Sequence, residues 1–343
     1  MSKSTIPLTV GQYTEGVQPG FSQIMMNLEA DKPNTVMRVS NVDNPSYITQ
    51  SPLGFYAISE KSHKDNAALY FFDNTMTEQA ITLLKGDYPC HVSLSECHQF
   101  LGVSHYGSGS FDIFSLTSTG HIGHQLASIY NTGKGQHPTR QQGPRGHQLM
   151  FIPRSNTLVT VDLGIDELNF YHYASNNIIH QQRLSLPSGS GPRHLVFTQD
   201  GLFGFVLCEL DETLCVIERK GRGEWRVIHS QQGFPEHECK EAAGAIKLSP
   251  DERYVYITGR GQSVISWFDI TSRSAPRYQG YVASNGVFPR DIGITQNGLY
   301  LIAANQHSNN LAFFSLDKKT GQPTLMPETL ALANPVCVLI GHS

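Results

Sequence analysis

The chain has 343 residues, 16% of them charged, and a formal net charge of −4. That balance offers no basic face for nucleic acid, and no run of about 18 apolar residues exists to cross a bilayer. Residues 1–20 lack the long apolar core of a secretory leader, so a cytoplasmic protein with no membrane partner is expected.

In chain order, the first elements are two strand-like runs, Leu8-Thr9-Val10-Gly11-Gln12-Tyr13 and Phe21-Ser22-Gln23-Ile24-Met25-Met26. A recurring phrase then begins: an apolar strand entered through Pro or Ala, a tight turn, and a second apolar strand. The first copy is Asn44-Pro45-Ser46-Tyr47-Ile48-Thr49, with the turn Ser51-Pro52-Leu53-Gly54 and the strand Phe55-Tyr56-Ala57-Ile58. The second is Pro89-Cys90-His91-Val92-Ser93-Leu94 with Phe100-Leu101-Gly102-Val103. The third is Gly143-Pro144-Arg145-Gly146-His147-Gln148-Leu149 with Leu158-Val159-Thr160-Val161-Asp162. The fourth and clearest is Gly191-Pro192-Arg193-His194-Leu195-Val196-Phe197, Asp200-Gly201, Phe205-Val206-Leu207-Cys208-Glu209-Leu210, then Thr213-Leu214-Cys215-Val216-Ile217. The fifth starts at Ala243, the sixth at Pro289 with its turn at Asn297-Gly298, and the seventh, Pro335-Val336-Cys337-Val338-Leu339-Ile340, has only a first strand.

Seven copies spaced 44 to 55 residues apart, each made of short strands, predict a β-propeller with one blade per repeat. Val, Ile, Phe, Tyr and Thr suit a pleated, half-buried surface, and Asp-Gly and Asn-Gly supply tight hairpin turns. The expected fold is therefore an all-β, seven-bladed β-propeller spanning 1–343 as a single domain. The ring would be closed by the N-terminal strands completing the last blade, which protects otherwise unpaired edges. The wider spacing between copies two and three, over 128–142, predicts a surface loop rich in Gly, Gln and Thr.

Six cysteines, none in a CxxC pair, mostly fall within strands and are expected to be reduced. Cys208 and Cys215 could face each other across a hairpin. With 15 His but no HxH, HExxH or paired-Cys spacing, no metal is expected, and no cofactor motif occurs.

Blade geometry sorts the candidate site. In a propeller the start of the first strand and the end of the second reach the same mouth of the central channel. The starts carry His91, His147, Arg193, His194 and Arg290. The ends carry Glu60, His105, Tyr106, Asp162, Glu209, Asp211, Arg260 and Asn305. Charged groups have no place inside a blade, so their recurrence predicts a polar, positively biased pocket for a small anionic ligand, since arginine grips carboxylate or phosphate with paired hydrogen bonds.

These residues resemble the seven-bladed lactonase family of bacterial 6-phosphogluconolactonases and fungal carboxy-muconate cyclases. The resemblance rests on Val10-Gly11-Gln12-Tyr13-Thr14, Pro89-Cys90-His91-Val92, Tyr106-Gly107-Ser108-Gly109-Ser110, Asp162-Leu163-Gly164-Ile165-Asp166, Gly191-Pro192-Arg193-His194, Glu209-Leu210-Asp211, Arg260-Gly261, Pro289-Arg290 and Ala304-Asn305-Gln306, in that order along the chain. It implies a metal-independent cytoplasmic enzyme whose catalytic group is His147, Arg193, Glu209 and Arg260. His91, Tyr106, Asp162, His194, Arg290 and Asn305 would contact the substrate. Three departures stand out: Arg145 near the place of the first His of a Pro-His-x-His pattern, Ala245 where many members have Glu, and Gly259 where Asn is usual.

The expected reaction is hydrolysis of a sugar-derived lactone, most simply 6-phosphogluconolactone. Glu209 or His147 would activate water, Arg193 would stabilise the oxyanion, and Arg260 and Arg290 would hold a remote phosphate or carboxylate. The alternatives are a lactonising muconate cycloisomerase and a non-catalytic binding scaffold. The scaffold reading lacks the Gly-His and Trp-Asp signatures of such propellers.

Overall fold

The computed structural model describes residues 5–14, 20–27, 35–174, 177–221 and 223–341. Among these, the strands form seven four-stranded sheets, one for each repeat, and the fold class is the all-β, seven-bladed propeller that the repeat predicts. Six sheets are built from four consecutive strands. The seventh joins the C-terminal strand Pro335–Ile340 to Thr5–Gln12, Phe21–Asn27 and Thr35–Ser40. Its closing ladder is antiparallel and pairs Leu8 with Ile340 and Val10 with Val338, so the N-terminal strands do complete the last blade.

The chain divides into two compact units, 1–48 with 234–343, and 49–233. Within unit 49–233 the second strands Gly54–Ser59, Phe100–His105 and Thr157–Asp162 are buried at every position, and Phe203–Cys208 at all but its first. The fourth strands, such as Asn177–Ser185, alternate between half-buried and exposed. That contrast follows from the layering: inner strands are covered on both faces, while the outermost strand faces solvent on one. Between the sheets of 146–185 and 192–232, Val159, Val161, Phe170, Leu195, Val206 and Trp225 share one apolar cluster. In the other unit, Tyr256, Ile265, Trp267, Ile292, Leu301 and Phe314 do the same for the sheets of 243–283 and 289–331.

The local chemistry is that expected from the sequence. Pro89, Pro192, Pro289 and Pro335 each open a strand, where a missing N–H costs little. Gly201 and Gly298 take φ of 67°, the left-handed turn conformation glycine adopts without strain. Cys208 and Cys215 are both thiols. They sit diagonally across one ladder, with Val206 opposite Cys215. The neighbouring Cys208 thiol brings Cys215 down to about 7, and the Cys215 interaction together with burial pushes Cys208 up. Among the described residues no helix is long and apolar enough to cross a membrane.

Candidate active site

One backbone device recurs at the start of the first strands. In the ladder of 146–162 the register runs Gly146 to Asp162 and then Gln148 to Val161, so His147 is the extra residue of a β-bulge. Pro192 pairs with Cys208 and His194 with Leu207, which leaves Arg193 as the extra residue in the next sheet. Arg290 occupies the same place in the sheet of 289–305. A bulge adds local twist and re-aims a side chain out of the ladder. This is how these strands present His147, Arg193 and Arg290.

In unit 49–233 the re-aimed groups converge on Glu209. This carboxylate follows the strand Phe203–Cys208 and is 2% exposed. Its own N–H donates to the Gly191 carbonyl at 2.6 Å, which ties the end of the second strand to the start of the first. Arg193 Nε lies 3.1 Å from Glu209 Oε2 and His147 Nε2 lies 3.9 Å from the same oxygen. Glu209 Oε1 accepts a hydrogen bond from Arg140 Nη2 at 2.5 Å. A buried carboxylate persists only when paired in this way.

Around this centre, Arg193 Nη1 stands 3.1 Å from His194 Nδ1. A guanidinium can only donate, so His194 Nδ1 is the acceptor and the ring proton sits on Nε2. The His194 ring meets those of His147 and His91 edge to face, with centroids 5.1 Å and 5.4 Å away. Gln148 links His91 Nε2 at 3.3 Å to the backbone N–H of Leu195, which its Oε1 accepts at 2.7 Å. The Tyr106 hydroxyl accepts from Arg140 Nε at 3.1 Å, and its ring packs edge to face on His147, centroids 5.5 Å apart. The guanidiniums of Arg140 and Arg145 lie 5.9 Å and 5.5 Å from the Tyr106 ring centre, within cation–π range. Burial lowers the proton affinity of Arg140, but the Glu209 charge and then Tyr106 more than offset this, leaving it above the ordinary arginine value.

The structure thus brings His91, Tyr106, His147, Arg193, His194 and Glu209 together. Asp162, fully buried, is engaged otherwise. Its Oδ1 accepts the N–H groups of Arg145 at 2.7 Å and Gly164 at 2.9 Å, and its Oδ2 accepts Asn131 Nδ2 at 2.8 Å. It holds both ends of the 131–145 loop. Gly164 is obligatory there, because a Cβ would lie 2.0 Å from the Gly143 carbonyl oxygen. Arg260, Arg290 and Asn305 belong to the other unit. Arg260 Nε donates to the Ala242 carbonyl at 3.2 Å and its guanidinium lies over Phe288. Arg290 Nη2 donates to the Tyr13 hydroxyl at 2.6 Å, and Asn305 Nδ2 donates to the Ser284 carbonyl at 3.0 Å. Sequence reasoning missed Arg140 and Gln148. Gln148 follows a bulge residue as His194 and Asp291 do, a register that the residue order does not reveal. Arg140 has no counterpart in the repeat. Among the described residues no group of three or more His, Cys, Asp or Glu could hold a metal ion.

Burial pushes Asp162 up to about 6, against the lowering effect of the N–H groups of Arg145, Asn131 and Gly164. In the unfolded chain it would titrate near 4. Between those values the folded state binds more protons than the unfolded state, so stability falls as pH rises through that window. A shift of about 2 units corresponds to ~3 kcal/mol. We expect Asp162→Asn to flatten this part of the stability curve in urea unfolding measured from pH 4 to pH 7. An unaltered slope would show that Asp162 is not its source.

A cluster that gathers a carboxylate, two guanidiniums and three imidazoles is suited to adding water to a polarised carbonyl. Residues 7–340 match the model of the lactonase family, a seven-bladed β-propeller family, and the chain belongs to that family. It is a lactone hydrolase. The 6-phosphogluconolactonase of Bacillus subtilis is 30% identical over 341 residues, covering 97% of each chain. The periplasmic gluconolactonase of Pseudomonas aeruginosa superposes with a TM-score of 0.87 at 25% identity, covering 98% of this chain and 99% of that one. A Lactobacillus plantarum protein shares the fold, with a TM-score of 0.91 at 22% identity over 98% of this chain and 100% of that one.

Proposed function

We propose that the enzyme hydrolyses 6-phosphogluconolactone to 6-phosphogluconate at the Glu209 centre. The observation that carries this reading is the convergence of Arg193, His147 and Arg140 on one buried carboxylate, in a chain 30% identical to a 6-phosphogluconolactonase. Glu209 takes a proton from water as its oxygen attacks the lactone carbonyl. Arg193 faces the oxyanion of the tetrahedral intermediate. Collapse breaks the ring C–O bond, and His147 supplies the proton that the departing alkoxide needs. His91, Tyr106 and His194 are the substrate contacts of this reading, from their places at strand starts and ends; Arg260, Arg290 and Asn305, which lie in the other unit, are proposed from their motifs and strand positions alone. Asp162, proposed from its motif as a substrate contact, would act through the loop it holds. A phosphorylated sugar cannot cross an apolar bilayer unaided, so this substrate goes with a cytoplasmic enzyme.

The test is hydrolysis of freshly prepared 6-phosphogluconolactone by the purified protein with EDTA present. Turnover is expected to persist in EDTA. In Arg193→Ala, kcat/KM should fall about 10²- to 10³-fold, the usual effect of removing an oxyanion donor. No turnover by folded wild-type protein would overturn the substrate, and an undiminished Arg193→Ala would overturn the oxyanion assignment.

A further inference from the structure

The loop 131–145 is anchored at several points. Gln141 is 1% exposed. Its Nε2 donates to the Leu163 carbonyl at 2.8 Å and to Asp166 Oδ1 at 2.7 Å, and its Oε1 accepts the His137 N–H at 2.9 Å. Asp166 in turn accepts the N–H groups of Gly189 at 2.8 Å and Gly191 at 2.7 Å, so one buried carboxylate ties the loop to the turn that leads into Arg193. The Arg140 N–H is held by His137 Nδ1 at 3.0 Å. The loop therefore fixes the backbone of Arg140 and leaves its long side chain to reach Glu209.

Arg193, His147 and Arg140 differ in access. The side chains of Arg193 and His147 are 4% and 8% exposed, whereas that of Arg140 is 35% exposed. A molecule arriving from solvent meets Arg140 first. The guanidinium spends Nε on Tyr106 and Nη2 on Glu209, and among the described residues its Nη1 has no partner. While Arg140 binds Oε1, the guanidinium stabilises the negative charge on that oxygen and makes it a weaker base toward water. An incoming anion competes for the same guanidinium in bidentate geometry.

Building on the lactone-hydrolase reading, we propose that Arg140 is the specificity residue that recognises the phosphate of a phosphorylated aldonolactone, and that by turning to the phosphate it releases Glu209 Oε1 for water. The inference bears on a difference between the relatives, one named for a phosphorylated lactone and the other for gluconolactone. Phosphate supplies two charges and three acceptor oxygens, enough to draw a guanidinium from a single carboxylate oxygen.

The experiment has a binding arm and a kinetic arm. Calorimetric titration with 6-phosphogluconate and with gluconate needs no turnover. Wild type should prefer the phosphorylated acid by roughly 10- to 100-fold, the range of a hydrogen bond between charged groups. Arg140→Gln should bring the two acids within about threefold of each other, and Arg140→Lys should restore part of the preference. In the kinetic arm, Arg140→Gln should lose at least ten times more kcat/KM on 6-phosphogluconolactone than on glucono-δ-lactone. Equal losses in both arms would mean that Arg140 only supports the structure, and the proposal would fall. It would fall equally if wild type bound neither acid or did not distinguish them. Absence of wild-type turnover with the binding preference intact would overturn the reaction and leave the recognition standing.

Discussion

Replacing Glu209 with glutamine is expected to lower kcat/KM for 6-phosphogluconolactone by about 10²- to 10⁴-fold, the usual contribution of a general base. The amide keeps the shape and one oxygen acceptor, so Arg193 and Arg140 retain a neighbour while the proton-accepting oxygen pair is lost. The alanine variant should behave differently. Arg193 is 4% exposed, and removing one partner of a buried ion pair costs on the order of 3–5 kcal/mol. Glu209→Ala should therefore lose stability as well as activity. Steady-state kinetics and thermal melts of the two variants separate the effects. If Glu209→Gln kept kcat/KM within twofold of wild type, water activation would pass to His147, 3.9 Å away.

Replacing Trp225 with alanine is expected to destabilise the protein by about 3–5 kcal/mol, the usual cost of deleting a large buried aromatic. Trp225 is 2% exposed. Its ring stacks on Phe170 with centroids 5.2 Å apart and an interplanar angle of 6°, and meets Phe197 edge to face at 5.3 Å. Phe170 belongs to one sheet and Phe197 to the next, so the indole fills the seam between two blades. The backbone joins the same seam, since Gln182 Nε2 donates to the Trp225 carbonyl at 2.7 Å and Gln182 Oε1 accepts its N–H at 2.8 Å. Far-UV circular dichroism in denaturant measures the loss. Trp225→Phe should recover much of it by keeping a stackable ring. A loss below about 1 kcal/mol for the alanine variant would mean that the blades pack through other contacts. The protein that remains folded should keep its KM, because Phe170, Phe197 and Gln182, on which Trp225 packs, are not part of the Glu209 centre.

The repeat makes the sheets legible in the order of residues alone. Pro192 and Asp200-Gly201 mark the ends of one strand by local rules of φ and turn geometry, and the same punctuation recurs at Pro289 and Asn297-Gly298. Residues at strand starts and ends are therefore expected to share one rim, and five of them, His91, Tyr106, His147, Arg193 and His194, do meet around Glu209 or touch groups that do. What punctuation cannot supply is the bulge. A ladder with one extra residue looks the same in sequence as one without it, so that Arg193, rather than His194, faces Glu209 Oε2 follows from register alone. Asp162 shows the converse. Its place at a strand end suits a substrate contact, yet its oxygens are turned to the loop because buried N–H groups there need acceptors.

Alternation, turn dipeptides and strand-opening prolines act over a few residues. For that reason the amino-acid order specifies the seven sheets, their closure by the N-terminal strands, and the polar residues offered at strand ends. The meeting of Arg140 with Glu209, 69 positions apart in the chain, is instead a product of the folded arrangement. The Arg140 loop lies outside the repeat and has no periodicity to read. Its course is set by hydrogen bonds to Asp162 and Asp166, whose geometry exists only once the strands that carry them have paired.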